Sequence, residues 1–429
     1  MDFNFMANTS VATFNIPSGV YLSGYGDRDK PNIGTHDPIH TKAVTISNGE
    51  KTIMFITNDL IGLDEDIANK IIFGIKGNFN IPEENIFISA THTHAAPDIF
   101  DWEFDKRFFQ YELNKQAKEN IIQTIVENGL KSTKELKKVS LEFGQSRCKG
   151  VASNRIEKDA PVDDLVSSIF LIGEDKLPIC TIVNYACHPT VLGAENIYIS
   201  SDYPGVLQRL VEEKFGEDSI CMFMNGACGN QSTRFTRRCQ DFNEVERMGK
   251  LLFGSMLVSY DNRKTIEDSS INGIKEYFEF PRKRLPNKEE AKAYYETMSQ
   301  KLNEAKKDSK LPPEELRGII TKYQGASMTL KLQEVLENLN LRAAIQLARL
   351  GSLVFVGVPV ELFNDYGFLI KEKSKFPNTI IVGYTNGMLG YVYTPESYRD
   401  GDYEAWSSPF DINTGEILTK RVIDLMEKL

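Results

Sequence analysis

The sequence predicts an α/β protein in which mixed β-sheets are flanked by helices, with a helical insertion on the surface. Three observations carry that expectation. Short apolar runs alternate with segments of helical period along most of the chain. Several of those runs stop abruptly at turns containing His, Gly or Pro. One stretch, 284–336, departs from the alternation and is charged and helix-favouring throughout. A chain of 429 residues, 41% of them hydrophobic, buries a large core without cross-links. No repeat, low-complexity tract or linker interrupts it, so residues 1–429 are expected to form one domain.

Taken in order, residues 1–60 read as short strands and turns. KAVTIS (42–47) and TIMFITN (52–58) flank a hairpin signal, NGE. DEDIANKIIFGIKG reads as a helix with acids in its first turn. IFISA (86–90) is a short apolar strand, and apolar spacing near 3.6 over 104–130 predicts a long helix. Strands are expected at 138–143, 167–172 and 180–186, a helix at 203–216, and a buried strand in ICMFMNG. The 284–336 segment reads as a solvated helical hairpin or a lid over the substrate. Strands return at 341–349, 352–357 and 379–384, and ILTKRVIDLMEKL closes the chain as a helix.

Composition excludes several classes of function. Lys plus Arg is 50 against 60 for Asp plus Glu, a net charge of −10. That balance argues against nucleic acid as a partner and against attraction to an anionic membrane surface. No apolar run approaches the roughly 18 residues of a membrane-spanning helix. The first residues, MDFNFMANTSVATF, lack the basic and apolar regions of a signal peptide, so a cytoplasmic location is expected. The six cysteines, Cys148, Cys180, Cys187, Cys221, Cys228 and Cys239, form no CxxC pair and are expected to be buried free thiols.

The chemistry-bearing residues collect at strand ends. Of five histidines, His92 and His94 follow IFISA in ATHTHAAPD, and His188 follows another apolar strand in NYACHPT. In extended backbone, two residues of separation would aim both rings to one side. Positions beyond the carboxyl ends of strands are where α/β enzymes place functional groups. Glu361 directly follows LVFVGVPV, where it serves either as a metal-binding carboxylate or as an acid favouring the start of a helix. Tyr391 lies in a Gly-rich loop after IIVGYTNGMLG, where packing is the simpler role.

These segments, in this order, resemble the neutral/alkaline non-lysosomal ceramidase family. LSGYGDR with GTHDPIHTKAV is similar to its N-terminal segment, ATHTHAAPD to its HTHSGP motif, VASNR to its NRSP motif and NYACHPT to its HPT/HPV motif. MNGACGNQS stands where the family has GDVSPN, GVPVELF resembles PGE, and GYTNGMLGYVYTPESYRDGDYEAWSS resembles the closing Tyr-rich segment. The resemblance implies a zinc-dependent hydrolase of linear amides, with one Zn2+ per chain held by His92, His188, Glu361 and Tyr391. It implies His94 as the acid/base, with Arg155 and Tyr403 orienting the scissile amide or its oxyanion. The partner would be a small-molecule or lipid-like N-acyl substrate, as in sphingolipid metabolism.

Three departures bear on the substrate. Cys228 stands at the place of the GDVSPN serine, Val360 replaces the PGE glycine, and Ala95 replaces the HTHSGP serine. A serine nucleophile is therefore not expected, while a water route needs neither serine nor cysteine. Full-length relatives carry a further β-sandwich-like C-terminal domain, for which the residues after the Tyr-rich segment leave no room. A short relative is thus expected, and an esterase or lactonase with the same ligands, or a metal-binding scaffold without turnover, are the competing readings.

Overall fold

A computed structural model describes residues 3–100, 111–216 and 218–429. The chain opens with β1 (Phe5–Thr13), β2 (Gly34–Thr35), β3 (His40–Ser47), β4 (Thr52–Asn58), α1 (Glu65–Lys76), β5 (Ile86–Ala90) and α2 (Glu112–Ser132). It continues through β6 (Lys137–Arg147), β7 (Ser153–Asn154), β8 (Leu165–Ile172), β9 (Pro178–Tyr185), β10 (Tyr198–Ile199), α3 (Asp202–Phe215), β11 (Ile220–Asn225), β12 (Gln231–Ser232) and α4 (Phe242–Asp261). The second half comprises β13 (Lys264–Thr265), β14 (Ile271–Glu279), α5 (Lys288–Ala305), α6 (Pro313–Val335), β15 (Arg342–Leu350) and β16 (Leu353–Gly357). It ends with β17 (Glu361–Leu362), α7 (Asn364–Lys373), β18 (Asn378–Val382), β19 (Tyr391–Val392), α8 (Pro395–Asp400), α9 (Tyr403–Ser407) and α10 (Thr414–Met426).

The strands form a nine-stranded sheet, order β11-β9-β8-β6-β1-β3-β4-β5 with β13 on β6, and a four-stranded sheet, order β14-β15-β16-β18. Both are mixed: β11 with β9, β4 with β5, and β16 with β18 run parallel, and the other pairs in these sheets are antiparallel. The two sheets pack face to face. Phe55 and Phe87 of the large sheet meet Phe355 of the small one, with ring centroids 4.8 and 6.3 Å away. Alternation along each strand then sends the next residues to the opposite face. Met54, Ile56 and Ile88 pack with α1 and α2, while Val183 and Phe223 pack with α3 and α4. On the small sheet, Val354 and Val356 face α7 and α10. The result is four layers, helix, sheet, sheet, helix, as expected of sheets flanked by helices.

Local sequence explains the helix positions. Asp64 caps α1 by accepting from Ile67 N, and Ile67, Ile71 and Ile75 form its buried face. Asn287 and Glu290 form a capping box at α5. The expected hairpin is present, with Ser47 opposite Thr52. The long helix expected over 104–130 is seen as α2; the first part of that expectation, 104–110, lies outside the described residues. Several elements fall where none was expected, among them α4, β14, α7, α8 and α9. The 284–336 helices are present, but they are not merely solvated. Thr329 Oγ1 donates to Trp406 O, Lys322 Nζ to Asp400 O and Gln324 to Asp27. The hairpin therefore rests on α9, the helix that begins with Tyr403.

Candidate metal centre

Neighbouring strand ends deliver the site. His92 and His94 lie just past β5, His188 just past β9, Cys228 past β11, Glu361 past β16 and Tyr384 past β18. Asn225, fully buried at the end of β11, ties two of these loops together. Its Nδ2 donates to Thr91 O and Cys187 O, and its Oδ1 accepts from Cys187 N. Nothing in the sequence singled it out, because both partners are remote in the chain.

The His92–His94 segment is not extended as its spacing suggested. His92 has φ 72°, in the left-handed region that non-glycine residues seldom occupy. The conformation is held by His92 N donating to Leu60 O at 2.9 Å. The two rings nevertheless converge, with Nε2 atoms 3.2 Å apart. Tyr384, also at positive φ, stacks on His92 at 3.9 Å between ring centres and was not foreseen. Such strained residues gather where the surrounding structure must fix a functional geometry.

Backbone carbonyls set the tautomer of all three histidines. Nδ1 of His92 meets Ile61 O at 2.6 Å, Nδ1 of His94 meets Gly24 O at 3.1 Å, and Nδ1 of His188 meets Cys228 O at 2.8 Å. A carbonyl only accepts, so each Nδ1 carries the hydrogen and each neutral ring presents the Nε2 lone pair. A ligand atom from each of these histidines lies within 4.8 Å of those of the other two. Glu361 Oε2 joins them, 2.9 Å from His188 Nε2 and 3.5 Å from His92 Nε2. Lone pairs facing one another at these distances repel unless a cation or a proton lies among them. The donor set, imidazole nitrogen and carboxylate oxygen, is the kind that suits zinc.

The remaining residues are built around this cluster. Glu361 and Tyr391 are register partners on the parallel strands β17 and β19. Gly229 lets the Cys228–Asn230 loop lie against Glu361: a Cβ there would stand 2.4 Å from Glu361 O. Arg155 Nε is 2.7 Å from Glu404 Oε1, its Nη2 donates to Gly229 O, and its guanidinium lies 5.2 Å from the Tyr391 ring centre. Tyr403 meets the Tyr391 ring edge-on at 6.1 Å. Sequence reading had marked Tyr403 and passed over Glu404 as a partner for Arg155.

Burial dominates the electrostatics. It pushes His188 down to about 3, helped by the charge of Arg155. His94 is also driven well below the usual histidine value, by its enclosure first and then by His92 and His188. Burial would raise Glu361, but the close approach of the His188 and His92 imidazoles outweighs it and holds the carboxyl below its usual value. Burial likewise opposes the charge on Arg155, yet Tyr391, Glu404 and Glu361 together hold it protonated. Cys228 is pushed up to about 12 by burial, and its Sγ hydrogen-bonds Tyr384 Oη at 3.1 Å. Five of the six cysteines are buried and free, as expected, whereas Cys239 is exposed.

Residues 16–247, more than half of the chain, match the family described as neutral/alkaline non-lysosomal ceramidase, N-terminal. The chain belongs to the neutral/alkaline non-lysosomal ceramidase family. Two solved structures extend the likeness of fold over all of it. Neutral ceramidase from Pseudomonas aeruginosa aligns with TM-score 0.78 and 18% identity, over 100% of this chain and 75% of that one. A ceramidase complexed with C2 aligns with TM-score 0.78 and 16% identity, over 100% and 76%. Glu361, Tyr391 and Tyr403 lie beyond the matched family span, so for this ceramidase-family member their place rests on the fold and the distances above. No helix among the described residues is long and apolar enough to cross a membrane.

Proposed function

We propose that the protein is a zinc-dependent hydrolase of linear amides, acting on an N-acyl substrate in the manner its family name implies. The observation that carries this reading is the convergence of three carbonyl-fixed Nε2 atoms and an ionised carboxylate on one point, in a chain of this family. His92, His188, Glu361 and Tyr391 would hold one zinc ion, which when bound lowers the pKa of water to about 7 and polarises the amide carbonyl.

The chain's own residues supply the rest. His94 is locked by its Nδ1 hydrogen bond to Gly24 O, so its Nε2 is the atom that accepts a proton and returns it to the departing amine. Hydrolysis breaks the C–N bond, adding hydroxide to the acyl carbon and a proton to nitrogen. Arg155, engaged by Glu404 and Gly229, acts on Tyr391, whose phenol it draws toward ionisation against burial and the Glu361 charge. Tyr403, adjoining Tyr391, orients the amide. On this reading residues 1–429 form one catalytic unit, and the 284–336 insertion buttresses α9.

The test is elemental analysis of the purified protein combined with turnover of N-acyl amides, esters and lactones before and after chelation. One zinc per chain and amide hydrolysis lost on chelation are expected. Protein that stays metal-free after zinc exposure, or that turns over esters and lactones but no amide, rejects the assignment.

A further inference from the structure

The protein carries a net charge of −10, yet among the described residues several arginines near the candidate metal centre have no carboxylate within ion-pair distance. Elsewhere Arg209, Arg263 and Arg421 each lie within ion-pair distance of a carboxylate. Among the described residues, Arg234, Arg237 and Arg317 do not. Two are tethered to the site's own loops. β12 pairs with β7, and its Ser232 bridges His188. The chain then presents Arg234, whose Nη1 donates to Arg155 O at 3.0 Å, and Arg237, whose Nη1 donates to Thr190 O at 2.9 Å, two residues beyond His188.

The third comes from the insertion. Arg317 is exposed near the start of α6, close enough that its charge acts with burial to lower both Arg234 and Arg237. The acids nearby are committed elsewhere. Glu404 is held by Arg155, and Asp202 accepts from Leu192 N and Tyr203 N. Three mutually repelling cations, two of them half-buried, are unfavourable unless an anion joins them. Guanidinium forks match planar or tetrahedral oxyanions in geometry as well as charge.

We propose that Arg234, Arg237 and Arg317 form an acid-recognition subsite, so that the preferred substrate is an N-acyl amide bearing a carboxylate, sulfonate or phosphate. The inference rests on the amidase reading of the neighbouring centre and narrows its substrate class. It also gives the helical insertion a part in recognition, since α6 supplies one of the three charges.

The test compares N-octanoylglycine, N-octanoyltaurine and N-octanoylethanolamine phosphate with neutral N-octanoylethanolamine, using the full zinc-loaded chain at fixed ionic strength. The best acidic substrate is expected to exceed the neutral one by about 10- to 100-fold in kcat/KM, the range for charge-assisted hydrogen bonds. The three acidic arms identify the anion. The double variant Arg234→Gln, Arg237→Gln should bring the ratio close to one through a raised KM for the acid, while Arg234→Lys, Arg237→Lys retains part of it. A ratio of one or less in the wild type, or a ratio that the double Gln variant leaves unchanged, overturns the subsite. If no amide is hydrolysed, calorimetric titration of the same compounds decides. Tighter binding of the acids upholds the subsite and rejects the amidase reading, whereas equal binding rejects the subsite.

Discussion

Glu361 and Tyr391 stand opposite each other on adjacent parallel strands, thirty positions apart in sequence and level in register. The pairing fixes Glu361 and Tyr391, the acidic and phenolic donors of the proposed ligand set, by backbone hydrogen bonds, with Glu361 N donating to Gly390 O at 2.9 Å. Glu361→Gln removes the only carboxylate that touches His92 and His188 among the described residues. Loss of zinc affinity should exceed the roughly 10- to 100-fold seen when a ligand's outer hydrogen-bond partner is removed. Tyr391→Phe should cost less, because a phenol is the weaker donor. Competition against a fluorescent chelator measures both, and a Glu361→Gln protein that binds zinc as tightly as wild type contradicts the ligand set.

Gly24 offers a way to disturb His94 without touching the other three donors. Its φ is 99°, and a Cβ there would lie 2.4 Å from His94 Nδ1, the atom bonded to Gly24 O. Gly24→Ala must therefore push the ring away and strain the backbone. If His94 moves protons, turnover falls about 100-fold or more, as for a lost general acid/base, while zinc content stays at one. A parallel loss of zinc would instead make His94 a ligand, a role its 3.2 Å approach to His92 Nε2 also permits.

The part of the fold legible in the sequence was the part written in local pattern. Apolar runs such as IFISA and ICMFMN became β5 and β11, and Ile67, Ile71 and Ile75 marked the inner face of α1. α4 carried equal signals, with Asp241 as cap and Val245, Met248, Leu252 and Met256 at helical spacing. β14 did not, since its half-buried residues mix charge with apolar side chains and gain their order only from pairing with β15. The site divides the same way. Histidines at strand ends stood out, but the Asn225 clamp, the Tyr384 stack and the Arg155–Glu404 ion pair join residues 38 to 292 positions from one another. Long-range geometry of that kind leaves no period in the sequence. The left-handed turn at His92 was likewise hidden, because residue type alone suggests extended backbone there.

Cys228, which the family resemblance sets at the place of a serine, lies in surroundings that separate two routes. The sulfur is buried, hydrogen-bonded to Tyr384 Oη, and kept as a thiol by desolvation. A nucleophilic cysteine requires the opposite, a lowered pKa and access to substrate. Cys228→Ser is expected to retain activity within about tenfold and Cys228→Ala to cost mainly stability, through the lost contact with Tyr384. A fall of about a thousandfold or more in Cys228→Ser with zinc still bound would assign the attack to sulfur.

Asp202 makes stability depend on pH in a direction that can be read from its surroundings. It is buried at the start of α3 with φ 56°, and desolvation raises it to about 7 from 3.8, more than its bonds from Tyr203 N and Leu192 N can offset. Between those two values the folded chain holds a proton that the unfolded chain has released. The contribution of Asp202 is therefore complete below about 3.8 and is lost as pH rises through about 7. Asn carries no such charge, tolerates positive φ, and keeps an oxygen for Tyr203 N. Thermal midpoints of wild type and Asp202→Asn should thus diverge in favour of the variant from pH 4.5 to 7 and run parallel above it, a difference on the order of 4 kcal/mol at pH 8. A gap that stays constant over that range would mean that the carboxyl is ionised throughout, with Arg237 as its counter-charge.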